Sequence, residues 1–312
     1  MSLVSVIIPT YGRSSKISEA IESVLLQTHR EIEIIVVDDN GLGSDNQKET
    51  ETSLANYIDK INYLVLKNNL GGGLARNEGI KHALGEYVTF LDDDDTYLPH
   101  KVEEQLSAFR DNLNLDLVAT GANIVSNGII IREHFPSGKD KKDFVLNGGV
   151  MTPMMMLRRK YIIENDLGFL DTPRYQDHTF FLRLLMLNVR YKFVNKVGYN
   201  HSVHEGDKIS NSPKSIRALP VLFKLEDEIL KDCTLNSKEL KYFSLKRKSL
   251  EFDFITCQEN RFTISNIYFV IRLFIFSLGS KFFKMNLSTL IKFILGYRFH
   301  HNIKLFYLKL IK

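Results

Sequence analysis

Residues 92–95 are four aspartates in a row, and they follow the apolar segment YVTFL at 87–91. Adjacent carboxylates repel one another, and a cation is the first candidate to offset that. Asp92 and Asp94 are spaced to point the same way from the carboxyl end of a strand. Hard cations such as Mn²⁺ or Mg²⁺ take carboxylate oxygens and share coordination readily with phosphate. One or two carboxylates suffice when a diphosphate brings the remaining oxygens. The plainer reading of an acidic run is a solvated turn. For Asp95 a cap on a helix starting near Pro99 competes equally.

The elements around the run must hold it at a usable edge. VSVII at 4–8 is a β-branched stretch stopped by Pro9, the pattern of a buried parallel strand. SSKISEAIESVLLQT at 14–28 spaces Ile17, Ala20, Ile21, Val24 and Leu25 as one helix face behind a Ser cap. IEIIVV at 32–37 is a second strand ending in Asp38-Asp39, with a possible helix at 50–59 beyond it. INYLVL at 61–66 is a third strand, NNLGGG a loop, LARNEGIKHAL at 74–84 a short helix, and YVTFL a fourth strand. This alternation predicts an α/β domain with a mostly parallel sheet. Ligands of such sheets bind outside the carboxyl ends of the strands. Thr10-Tyr11, Asp38-Asp39 and Asp92 to Asp95 all stand at such ends. Further on, 115–135 reads as a hairpin turning at Asn127-Gly128. DHTFFLRLLMLN at 177–188 reads as a helix, and 191–202 as a strand. From 215 onward the chain reads as mainly helical. The methionines of VMTPMMMLRR at 150–159 suit either core packing or an acceptor groove, with the core favoured.

VSVIIPTYGR, IIVVDDNG, GLARNEGI, GEYVTFLDDDD and YQDHTFFLRL occur in this order and spacing. Together they resemble the motifs of family 2 glycosyltransferases over residues 3–210. The resemblance implies a GT-A fold, a Rossmann-like sheet flanked by helices, for residues 1–210. A nucleotide-binding half would cover about 1–110 and an acceptor half about 111–210. It implies that Pro9, Thr10 and Tyr11 meet the nucleotide, with Tyr11 able to stack on a base. Asp39 would accept the imide N–H of uracil. Arg76, just inside a helix behind Gly71-Gly72-Gly73, would lie near the phosphates, where free N–H groups and the helix dipole favour an anion. Asp94 would bind the metal, and Asp92 the ribose or the same metal. The register leaves Asp93 open to either role. Asp177 matches the general base, with Asp171 as fallback, and Gln176 replaces the family's usual glutamate. A histidine completing metal or diphosphate binding matches His204 better than His201.

Composition frames the rest. The chain has 312 residues, enough for one sizeable domain with an appendage. Its N-terminus shows no secretory pattern, and Cys233 and Cys257 lack metal-ligand spacing, so a reducing, cytoplasmic setting is expected. No acid follows Glu259, whereas nine Lys and Arg do. Setting those nine aside leaves 32 basic residues against 37 acids, about −5 for the body. Residues 211–312 are therefore read as a basic helical region. It would touch an anionic membrane peripherally at its inner face, with a helical subdomain packed on the core or an oligomer interface as the alternative. No nucleic-acid module is recognised.

The expected activity is inverting transfer of a hexosyl or N-acetylhexosaminyl group from a UDP-sugar or similar donor. The acceptor would be a glycan or lipid-linked saccharide of cell-surface polysaccharide synthesis. Two alternatives stay open: a nucleotidyltransferase, and a non-catalytic membrane-associated nucleotide-binding subunit.

Overall fold

The computed structural model describes residues 2–203, 217–255 and 264–277, together with Leu287 and Leu290. The chain divides into two compact units, Met1–Gly206 and Asp207–Lys312.

The first unit opens with β1 (Val4–Thr10), α1 (Ile17–Leu25), β2 (Ile32–Asp38), α2 (Asp45–Leu54), β3 (Asn62–Val65), α3 (Gly72–His82) and β4 (Tyr87–Phe90). These strands run in the order β3-β2-β1-β4, all parallel. All seven residues of β1 are buried. A strand covered by helices on both faces has no solvent side, which is why its sequence shows no alternation. The apolar face of α1 is buried at Ile17, Ala20, Ile21 and Val24 as expected, but its N-cap is Lys16, with no side-chain cap from the preceding serines. α2 starts earlier than the sequence pattern indicates, because Ser44 Oγ accepts from the Gln47 amide at 3.1 Å and fixes the first turn.

The chain continues through β5 (Thr96–Tyr97), α4 (Lys101–Asp111), β6 (Leu117–Ser126), β7 (Ile129–His134), α5 (Lys141–Asn147), β8 (Met155–Arg158), α6 (Arg159–Glu164), α7 (Gln176–Met186) and β9 (Tyr191–Ser202). The complete order is β3-β2-β1-β4-β8-β6-β9-β5, with β7 beside β6. The sheet is mixed: β8 runs antiparallel to both β4 and β6, whereas β6 and β9 are parallel. Asn127 (φ 50°) and Gly128 (φ 77°) make the turn of the β6–β7 hairpin. The methionine cluster is core: Met154, Met155 and Met156 are fully buried, and the last two begin β8, the strand that splices the halves of the sheet together.

The second unit contains α8 (Ala218–Leu230), α9 (Ser237–Ile255) and α10 (Ile264–Ser277). Glu226, fully buried on α8, pairs with Lys246 at 2.8 Å and Arg247 at 3.0 Å on α9. Leu245 and Phe252 pack with Val270 and Leu273 to join α9 to α10. Ile267, Tyr268, Ile271 and Ile275 of α10 are exposed. Among the described residues no helix is long and apolar enough to cross a membrane.

Candidate active site

The aspartate run lies where β4 has ended, and its backbone closes as a turn: the Asp95 amide donates to the Asp92 carbonyl at 3.0 Å. Asp92 and Asp94 are half-buried and Asp93 and Asp95 buried, so the expected alternation survives although the strand does not. Each carboxylate reaches a different part of the fold.

Asp93 turns inward. It accepts from the Thr10 hydroxyl at 2.8 Å and from Arg13 Nη1 at 2.9 Å. Burial pushes its acid up to about 6, against the pull of Arg13 and Thr10. Of the triplet matched to the nucleotide, Pro9 is buried within β1 and Thr10 is engaged with Asp93, whereas Tyr11 is 47% exposed. Pro9, Thr10 and Asp93 are thus buried at this strand end, and Tyr11 presents an exposed ring beside them. The same Arg13 nitrogen lies 2.9 Å from Asp94 Oδ2. Burial works against the guanidinium's charge, but Asp93 and Asp94 outweigh it and raise its proton affinity.

Asp92 pairs with Arg76 Nη2. Arg76 also donates to Gln176 Oε1 at 3.1 Å and lies 5.6 Å over the Phe169 ring. Its Nε is buried without a hydrogen-bond partner. The glycine loop that carries α3 has definite reasons to be glycine. Gly71 has φ +86°, and a Cβ on Gly73 would come within 3.1 Å of the Leu170 carbonyl. Asp39 ties this loop to β2, accepting from the Leu70 amide at 2.7 Å and the Gly71 amide at 2.8 Å. It is 2% exposed, and burial raises its acid while those amides oppose the shift. Asp38 braces its own loop through the Asn40 amide at 2.9 Å.

Asp177 stands in the first turn of α7, next to Gln176, and accepts from the His178 amide at 2.7 Å. The helix is entered through Tyr175 at φ 61°, a left-handed conformation costing about 1 kcal/mol or more. Burial raises the Asp177 acid, Arg76 opposes the shift, and Asp92 adds to it. The fallback base, Asp171, is exposed.

The capping alternative for Asp95 is not realised, since α4 is preceded by His100 without a side-chain cap. Fully buried Asp95 instead accepts from the Ser202 amide at 2.8 Å and meets His201 Nδ1 at 3.1 Å. Burial pushes Asp95 up, and Asp95 in turn raises His201 against its own burial. His201, ranked behind His204 by sequence, is thereby held beside the run; His204 lies outside the described residues. Arg13 was missed altogether. Its one signal was a cation in the loop after β1, facing acids at a neighbouring strand end.

Asp92 and Asp94 present half-buried carboxylate oxygens, the donor type that Mn²⁺ and Mg²⁺ prefer. Arg13 shows that this spot already accommodates positive charge. Among the described residues no three His, Cys, Asp or Glu cluster as a complete cation cage. The residues fit a shared site.

Comparison with known proteins agrees with this fold. The pattern described as Glycosyl transferase family 2 matches residues 5–166. A Rickettsia bellii uncharacterized glycosyltransferase is 33% identical over 243 residues, 73% of this chain and 35% of that protein. A Methanocaldococcus jannaschii uncharacterized glycosyltransferase is 30% identical, covering 62% of this chain and 68% of its own length. The poly(ribitol-phosphate) β-N-acetylglucosaminyltransferase TarP of Staphylococcus aureus is 27% identical over 69% of this chain and 67% of TarP. Against the Rickettsia relatives this chain spans only 19% to 35% of their length. Among solved structures, S. aureus TarS in complex with UDP-GlcNAc superposes with a TM-score of 0.61 at 23% identity, covering 96% of this chain and 90% of TarS. A Pyrobaculum calidifontis mannosyltransferase in complex with GDP-Man and Mn²⁺ gives 0.58 at 14%, covering 95% and 88%. These two likenesses concern the fold, which is GT-A. The chain belongs to glycosyltransferase family 2.

Proposed function

We propose that this chain is an inverting glycosyltransferase taking a nucleotide-sugar donor, a UDP-sugar in the first instance. The observation that carries the reading is the turn of aspartates answered by Arg13 and Arg76, beside Asp177, a carboxylate of raised proton affinity. Tyr11 stacks on the base, and Asp39 shapes the loop beneath it while keeping further lone pairs for an imide N–H. Arg76, in the first turns of α3, brings its guanidinium charge to the phosphates. Asp94 and Asp92 would hold Mn²⁺ or Mg²⁺, with His204 as the further ligand that the sequence match supplies. When bound, the cation neutralises charge on the departing nucleoside diphosphate.

Asp177 removes the proton from an acceptor hydroxyl as that oxygen attacks C1 of the sugar. The new C–O bond forms as the bond from C1 to the phosphate oxygen breaks, and the electron pair leaves with the diphosphate. One displacement inverts the anomeric centre. Gln176 contributes no acid; it orients Arg76 through a neutral amide. The acceptor is proposed to be a glycan or lipid-linked saccharide at an anionic membrane face. The exposed apolar side of α10 and the acid-free basic sequence after Glu259 support that placement.

Purified protein with Mn²⁺ should slowly hydrolyse one UDP-sugar from a panel of UDP-, GDP- and dTDP-sugars. Chelator should stop it, and Asp94→Ala should abolish it. Release of pyrophosphate would instead point to nucleotidyl transfer, and binding without turnover to a non-catalytic subunit.

A further inference from the structure

Arg13 stands between two carboxylates of the run and makes both contacts through one nitrogen, Nη1, at 2.9 Å to Asp93 Oδ1 and 2.9 Å to Asp94 Oδ2. The two partners are held differently. Asp93 is anchored from behind by Thr10 and is 4% exposed. The Asp94 side chain is more open, at 12% of its surface, and the Arg13 side chain is 43% exposed, so it has room to move. Asp94 is also the carboxylate assigned to the divalent ion. A guanidinium and a dication cannot both neutralise one carboxylate at contact distance without repelling each other.

We propose that Arg13 makes cation binding at Asp94 conditional on the diphosphate. Its guanidinium holds Asp94 as an internal counter-charge and yields it when a phosphorylated ligand offers replacement oxygens. Asp93 serves as the pivot, because Arg13 keeps that partner while releasing Asp94. A diphosphate reconciles the two cations, since its several oxygens can face a metal and a guanidinium together. The consequence is positive coupling between Mn²⁺ and UDP, and linkage makes it reciprocal. This inference rests on the nucleotide-sugar reading of the same site.

The test measures Mn²⁺ affinity by electron paramagnetic resonance, with and without UDP, for the full-length protein and for Asp94→Ala, Arg13→Gln and Arg13→Lys. Without UDP, Arg13→Gln should bind Mn²⁺ about tenfold more tightly than wild type, because the competing ion pair is gone. The factor by which UDP tightens Mn²⁺ binding should shrink correspondingly. Arg13→Lys keeps the charge but loses the planar fork, and should fall between the two; it decides the matter if Arg13→Gln does not fold. Unchanged or weaker Mn²⁺ binding in the Arg13 variants, with Asp94→Ala abolishing binding, would overturn the inference and leave the site reading intact. Mn²⁺ binding that survives Asp94→Ala would overturn the site reading, and the inference with it.

Discussion

Asp177 is held where a carboxylate keeps its proton longer than usual, because burial and the nearby charge of Asp92 outweigh Arg76. As the proposed general base, Asp177 must be unprotonated, so the sign of the pH effect is fixed. Transfer should fall as pH drops through a value above the ordinary carboxylate range, and level off above it. Measured as kcat/KM against pH, this limb should vanish in Asp177→Asn. That variant should lose roughly 100-fold or more in kcat while keeping its affinity for the donor; loss of donor binding instead would remove Asp177 as the base. At this scale the sequence was informative about type and poor about partners. Asp94 and Asp177 stand out in a linear reading because strand ends and helix starts are local features. The pairing of Asp95 with His201 joins residues 106 apart, and no periodicity links them.

α3 places Arg76, and its own placement depends on Gly79 beside β1. A Cβ there would lie 2.4 Å from Ile7 Cγ2, an approach that real Cβ atoms do not make. Gly79→Ala should therefore push the helix off the sheet, costing about 1–3 kcal/mol, read as a fall in melting temperature. Reduced donor affinity should accompany it, since Arg76 rides on the same helix. The element scale also shows what could be read beforehand. β1 and β2 were legible because doubly covered strands are written as uninterrupted β-branched runs. β8 was not, since Met155 and Met156 carry no strand signature and their pairing with β4 and β6 is long-range. β5 is two residues long and exists only through its pairing with β9. The cap at Ser44 is a local signal too, but the polar stretch it opens has no apolar periodicity to mark it as a helix.

Across the whole molecule the charges are divided: a mildly acidic body, and a sequence after Glu259 with nine basic residues and no acid. Full-length protein should sediment with vesicles containing anionic phospholipid and not with neutral ones. Raising salt from 0.1 to 0.5 M should weaken the binding several-fold, because the Debye length shortens from about 10 Å toward the few ångströms of molar salt. Ile271→Asp, on the exposed side of α10, should weaken it further, and unaltered sedimentation would count against a membrane role for that helix. The turn at 92–95 carries a different implication for the first unit. Written out, it is one letter repeated four times; folded, it is four addresses, reaching α3, β1, the loop after β1, and β9. The same amide replacement made at each position in turn is four distinct experiments. Dropping any one letter would misdeliver those that follow, so the length of the repeat matters as much as its chemistry.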